Sequence, residues 1–176
     1  NAVFRAAPEF WSVSVVHDRQ FFEALDLPNS QKTFLPMCSH ADYIKVMSSC
    51  DFAFLPLADT RFNHFKSDLK ALEAAANGLA VLASPVVYEA SVRPGQTGEV
   101  FRTSSELVAH LNAWRANPTV VREMGLKGRQ WVASERMSAY QVQQRETWYR
   151  QLADHRDRLN RQLLERVPQL AGTRLS

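Results

Sequence analysis

At 176 residues, with 45% hydrophobic and 22% charged positions, the chain is long enough to bury the core of one domain and has an ordinary globular composition. No apolar run approaches the length of a membrane span, no secretory signal is legible, and a net charge of +3 with a pI of about 9.1 is a weak bias. That bias suits an acidic small ligand or an anionic membrane surface, while the few aromatic residues beside basic ones speak against a nucleic-acid partner. The two cysteines, Cys38 and Cys50, lack metal-ligand spacing and read as inert thiols of a reducing compartment. The first residue is Asn1 rather than Met, which reads as a piece of a longer chain.

In chain order, residues 1–10 read as the tail of a helix ending before Pro8. Residues 11–16 alternate and are β-branched, the pattern of a strand. Asp18 is a candidate N-cap for a short helix over 19–25, with His17 in the turn before it. A turn at Pro28-Asn29-Ser30 leads into a strand over 32–35. Ser39 caps a helix over 40–49, with Tyr43, Ile44 and Met47 facing inward. The continuous apolar run 51–57 predicts a buried strand. Its loop, 58–65, enters a helix whose Leu69, Leu72 and Ala76 recur at helical spacing and which Gly78 stops. A strand over 79–83 is broken by Ser84-Pro85, with Tyr88 in the short turn or helix that follows. The tight turn Gly95-Gln96-Thr97-Gly98 precedes a last strand over 99–102.

Thr103, with Glu106 three residues on, signals a helix start, and Asn117-Pro118 divides that helix from the next. Gly128 is expected to interrupt the second helix. From Met137 to Val167 one long helix is predicted, with Trp148, Leu152, Leu159, Leu163 and Val167 as its apolar stripe and arginines on its other faces. The tail after Pro168 reads as loose. Strands alternating with helices predict a parallel sheet with right-handed crossovers.

Polar chemistry concentrates between residues 63 and 73. In a parallel sheet, a strand-to-helix loop lies at the carboxyl end of the strand, where ligands bind. The helix start offers amides and a positive dipole end, and Lys66 and Lys70 add charge, so an anion such as phosphate suits the place. A solvated Lys–Glu helix face is the other reading of the same residues.

The run Asn63, Lys66-Ser67-Asp68-Leu69-Lys70, Leu72-Glu73-Ala74-Ala75, Gly78 and Leu82-Ala83-Ser84 resembles the donor-binding half of retaining group 1 (family 4) GT-B glycosyltransferases. The likeness spans roughly residues 13–150. It implies an α/β fold: a Rossmann-like parallel sheet flanked by helices, the C-terminal half of a GT-B fold, with a long C-terminal helix. Residues 1–136 would form the nucleotide-sugar domain, lacking its first strand, and residues 137–176 a helical extension.

In that family, the second Glu of a Glu-x7-Glu pair holds the ribose hydroxyls, and Glu73 matches it. The first Glu would fall at Phe65, a departure from the pattern at the usual contact to the donor sugar, where the neighbouring Lys66-Ser67 and Lys70 look like a subgroup's replacement. The resemblance makes Lys66, Ser67 and Lys70 diphosphate ligands. Asn63, His64, Asp59 and Arg61 stand on the rim of the site. Ser84 and Tyr88 approach from the next strand, and His17 is a weaker candidate after an earlier one. The implied donor is a nucleoside diphosphate sugar, with no cofactor, the diphosphate being met by amides and lysines rather than a metal.

The implied acceptor is a sugar, lipid or protein hydroxyl, held by a missing N-terminal acceptor domain. The setting would be cytoplasmic or peripheral at the membrane, and this chain alone could form a homodimer. A nucleotide-sugar epimerase of the same fold and a non-catalytic nucleotide-sugar-binding module are the alternatives. No Ser-His-Asp arrangement, HExxH motif, Walker loop or zinc ligand set is present.

Overall fold

A computed structural model describes residues 1–171; residues 172–176, the end of the tail read as loose, lie outside them. The described residues fall into two compact units, Asn1–Ser134 and a second that begins at Glu135.

The first unit alternates strand and helix: α1 (Ala2–Ala6), β1 (Val13–Val16), α2 (Arg19–Ala24), β2 (Lys32–Leu35), α3 (His40–Ser48), β3 (Phe52–Leu55), α4 (Leu69–Ala76), β4 (Ala80–Ala83), α5 (Pro85–Tyr88), β5 (Gly98–Val100), α6 (Ser104–Ala116) and α7 (Pro118–Trp131). Every strand pairing is parallel. β1 pairs with β2, Val13 opposite Lys32, and β3, β4 and β5 form a second sheet in that order. Local chemistry sets several boundaries. Asp18 Oδ1 accepts from the Phe21 amide at 2.9 Å, and the Ser39 and Thr103 hydroxyls accept from the amides of Asp42 and Glu106. At the end of α4, the Leu79 amide donates to the Ala74 carbonyl and the Gly78 amide to that of Ala75. This reversal needs the left-handed backbone that Gly78 adopts (φ 81°).

β4 is the centre. Ala80, Val81, Leu82 and Ala83 are at most 2% exposed. Val81 and Ala83 pack with Met47, Ala71, Ala74 and Val92 on one face, and Ala80 and Leu82 with Trp114, Val121 and Met124 on the other. The run read as the other buried strand, β3, is only half-buried along its length. It has β4 on one side, and among the described residues no strand pairs with its other edge. Its Phe52 and Phe54 rings lie 6.4 Å from Trp11 and 6.1 Å from Phe21, centroid to centroid.

The expected interruption at Gly128 does not occur, because α7 runs unbroken to Trp131. Its glycines serve packing. A Cβ on Gly125 would lie 1.9 Å from the Gly78 carbonyl oxygen, and one on Gly128 would lie 3.3 Å from the Cβ of Ala75. The helix therefore tolerates two poor helix formers in exchange for close approach to α4 and β4.

In the second unit, the long C-terminal helix consists of α8 (Val142–Asp154) and α9 (Arg156–Arg166), preceded by a 3-10 turn at Ser138–Gln141. They meet at His155, whose backbone (φ −102°, ψ 9°) departs from helical geometry for one residue.

Candidate functional site

The loop from β3 to α4 is folded by its own side chains. Asn63 Nδ2 donates to the Ala58 carbonyl at 2.8 Å, the Asn63 amide donates to Thr60 Oγ1, and His64 Nε2 lies 2.6 Å from Asp59 Oδ1. A 3-10 turn over Asn63–Phe65 results, after which Lys66 is extended (φ −78°, ψ 160°). α4 starts at Leu69, with Asp68 in the cap position. The Asp68 side chain makes no capping bond and accepts from the Ser91 hydroxyl instead. Its carbonyl takes the Ala71 and Leu72 amides, so those of Leu69 and Lys70 stand ahead of the first intrahelical bond.

Lys66 and Ser67 therefore precede the helix rather than occupying its first turn, and helical spacing relates only Lys70 to Glu73. The four still follow one another around the helix start. Lys66, Ser67 and Lys70 are exposed, and Lys66 Nζ lies 5.2 Å from the centre of the Phe62 ring.

Glu73 is more sheltered, its side chain 24% exposed, and its Oε1 is 3.6 Å from Nε2 of His40 at the start of α3. One turn along α3, half-buried Tyr43 has its phenol pKa pushed up, first by burial and then by the Glu73 charge. The structure thus joins Glu73 to His40 and Tyr43, two residues the sequence reading had not placed in the site. Only the fold brings position 40 to position 73, and no local pattern signals it.

Two predicted ligands have duties inside the fold. Ser84, 7% exposed, accepts from the Leu57 amide at 2.8 Å and donates to the Leu57 carbonyl at 3.0 Å. It clamps the exit of β3 to the end of β4, a structural duty at the sheet edge where the donor contact was expected. Asn63 holds the loop through its amide nitrogen, leaving its carbonyl oxygen as the outward group. His64 and Asp59 engage each other, and Arg61 is exposed. Tyr88 is 5% exposed, and its phenol is pushed up by burial and by the Asp68 charge. His17 has φ 70°, left-handed backbone in a turn where glycine is the easier residue, and its amide donates to the Leu35 carbonyl. That is a structural duty at the end of β1.

The site thus offers two kinds of contact a few ångströms apart along one helix: amides with lysines for an anion, and a sheltered carboxylate able to accept two hydroxyl hydrogens. A family model described as glycosyl transferase-like matches residues 5–147. Among solved structures, the chain is similar to sucrose-phosphate synthase from Thermosynechococcus elongatus, with TM-score 0.60 and 27% identity over 72% of this chain and 31% of that one. It thus spans about a third of that protein's length. It is also similar to the C-terminal domain of a glycosyl transferase group 1 family protein (LpcC) from Francisella tularensis, with TM-score 0.58 and 18% identity over 76% of this chain and 73% of that one. At that identity the likeness speaks for the fold alone. No curated protein matches the chain.

Proposed function

The chain belongs to the glycosyl transferase-like family, and from that premise we propose that it holds a nucleoside diphosphate sugar while the sugar passes to a sugar, lipid or protein hydroxyl. The carrying observation is the sequence of groups along α4. The exposed Lys66, Ser67 and Lys70 and the leading amides of the helix take the diphosphate, and Glu73, sheltered against α3, takes the ribose hydroxyls. The same positive groups stabilise the diphosphate as it leaves, when its charge grows most. This chain's contribution to the reaction is therefore on the leaving group, and the groups that meet the acceptor belong to a second domain of a longer protein. Polysaccharide or glycoconjugate synthesis in the cytoplasm, or at its membrane face, is the setting such a reaction fits.

Calorimetric titration with nucleoside diphosphates and the matching nucleosides tests this reading. Glu73→Ala is expected to weaken both ligand types at least tenfold, the equivalent of about 1.5 kcal/mol of lost charged hydrogen bonds, while the thermal melt stays put. Binding equal to wild type would remove Glu73 from the site. Lys66→Ala should weaken the diphosphate more than the nucleoside, because a lysine acts there as a point charge; equal losses would indicate a folding defect. Phe65, at the position where a Glu would touch the donor sugar, favours one second reading, a non-catalytic module that binds the nucleotide without turnover. Release of nucleoside diphosphate by the complete protein distinguishes the two.

A further inference from the structure

The carboxylate given to the ribose has a neighbour that can contest it. His40 opens α3 directly after Ser39, whose hydroxyl caps the helix, and its Nε2 lies 3.6 Å from Glu73 Oε1. That gap is wider than a hydrogen bond, so the contact leaves both carboxylate oxygens available to hydroxyl groups. The His40 side chain is 72% exposed and that of Glu73 24%, so the imidazole is the partner with room to move.

Of the groups around the pair, only the imidazole is of a type that ordinarily changes charge between about pH 5 and 8. On α3, the Lys45 ammonium and the Ser39 hydroxyl hold the Asp42 carboxyl below its usual range. Burial first, then the Glu73 charge, pushes the Tyr43 phenol up, so it stays neutral there. Tyr88 of α5, also pushed up by burial, and Cys38, in the turn before α3, act on the same phenol. Lys70 stands one turn before Glu73 on α4, and α7 meets that helix at Leu72 and Ala75 through Trp131 and Gly128. The strands that α4 packs on, β3 and β4, contain only apolar residues. His64, on the rim of the site, is engaged with Asp59.

We propose that His40 is a positioning residue that decides whether Glu73 is free for the ribose. As a neutral imidazole it stands off. As an imidazolium it closes on Oε1 and occupies an acceptor that a ribose hydroxyl needs, because a charge-assisted bond draws the two groups together more strongly than the neutral pair. The site therefore holds its nucleoside at neutral pH and releases it in acid. Solvent screening of this partly exposed pair keeps the effect modest. The inference rests on the reading of Glu73 as the ribose ligand and adds its regulation.

Calorimetric titration of the 176-residue chain with uridine, adenosine and guanosine, from about pH 8 down to about pH 5.5, is the test. Nucleosides are the probes because a terminal phosphate titrates in the same range. For the nucleoside that binds, affinity should fall about fivefold over that range. His40→Ala, neutral throughout, should keep the high-pH affinity at both ends, and His40→Lys, positive throughout, the low-pH affinity. His64→Gln should retain the wild-type dependence, and Glu73→Gln should bind weakly without any. Because His40 is exposed, circular dichroism should not separate its variants from wild type. A flat wild-type profile, with Glu73→Gln still weak, would overturn this inference and leave the donor reading standing. So would an unchanged dependence in His40→Ala, or its loss in His64→Gln. Glu73→Gln binding as tightly as wild type, or no nucleoside binding at all, would remove the ribose reading and this inference together.

Discussion

Strands β3 and β4 lie side by side and are both four-residue apolar runs, Phe52–Leu55 and Ala80–Ala83, yet they reach different surroundings. β4 has a strand on each side and helices on both faces, and is at most 2% exposed at every position. β3 has the larger side chains and is half-buried, and among the described residues a strand pairs with one of its edges only. An apolar run states that a segment gains by burial, whereas the number of neighbours determines how much it gets. The difference also bears on function. The less enclosed strand feeds the loop and helix start of the candidate site, and sites are commonly drawn from the less stable parts of a fold.

The largest expected effect separates the two strands by truncation. Leu82→Ala should lower unfolding free energy by about 3 kcal/mol in urea titration, since the cavity opens in the closed core, and Leu55→Ala by roughly half as much. Equal losses would break the comparison. Ser84→Ala comes next. It removes the partner of both the Leu57 amide and carbonyl, so a loss of roughly 1–2 kcal/mol is expected with nucleotide affinity unchanged. A fall in affinity at constant stability would give Ser84 a donor contact as well.

Phe21→Ala should cost about 1 kcal/mol, as expected for a half-buried ring, but its signature is local. Hydrogen exchange should speed up at Phe52–Leu55 and stay slow at Ala80–Ala83, and uniform acceleration would mean that the two strands open as one unit. The smallest change is expected for Glu73→Ala, with a stability shift within about 0.5 kcal/mol, because a site carboxylate on a helix face contributes little to folding.

Much of this was legible in the residues. Period and punctuation located the five strands, and the caps at Asp18, Ser39 and Thr103 and the stop at Gly78 were read correctly because each depends on a few adjacent groups. The resemblance around Lys66 to Ser84 pointed to the family that the chain matches. What was missed is tertiary. Gly128 looked like a helix end, because a glycine that breaks a helix and one that lets two elements touch are the same letter. The tie from Ser84 to Leu57 was not legible either, because the two are 27 residues apart.

By itself the sequence determined what short-range physics determines: the alternation of strand and helix, the parallel pairing that alternation requires, and the loading of cations and a carboxylate onto one loop and helix. Tertiary structure alone decided that β4 and not β3 is enclosed, that Glu73 lies beside His40 of α3, that Ser84 ties two strands, and that Phe62 and Phe65 face outward. Those outcomes depend on which distant segments come to lie against each position. Hydrophobic burial is non-directional and sets no such pairing until the whole chain has packed.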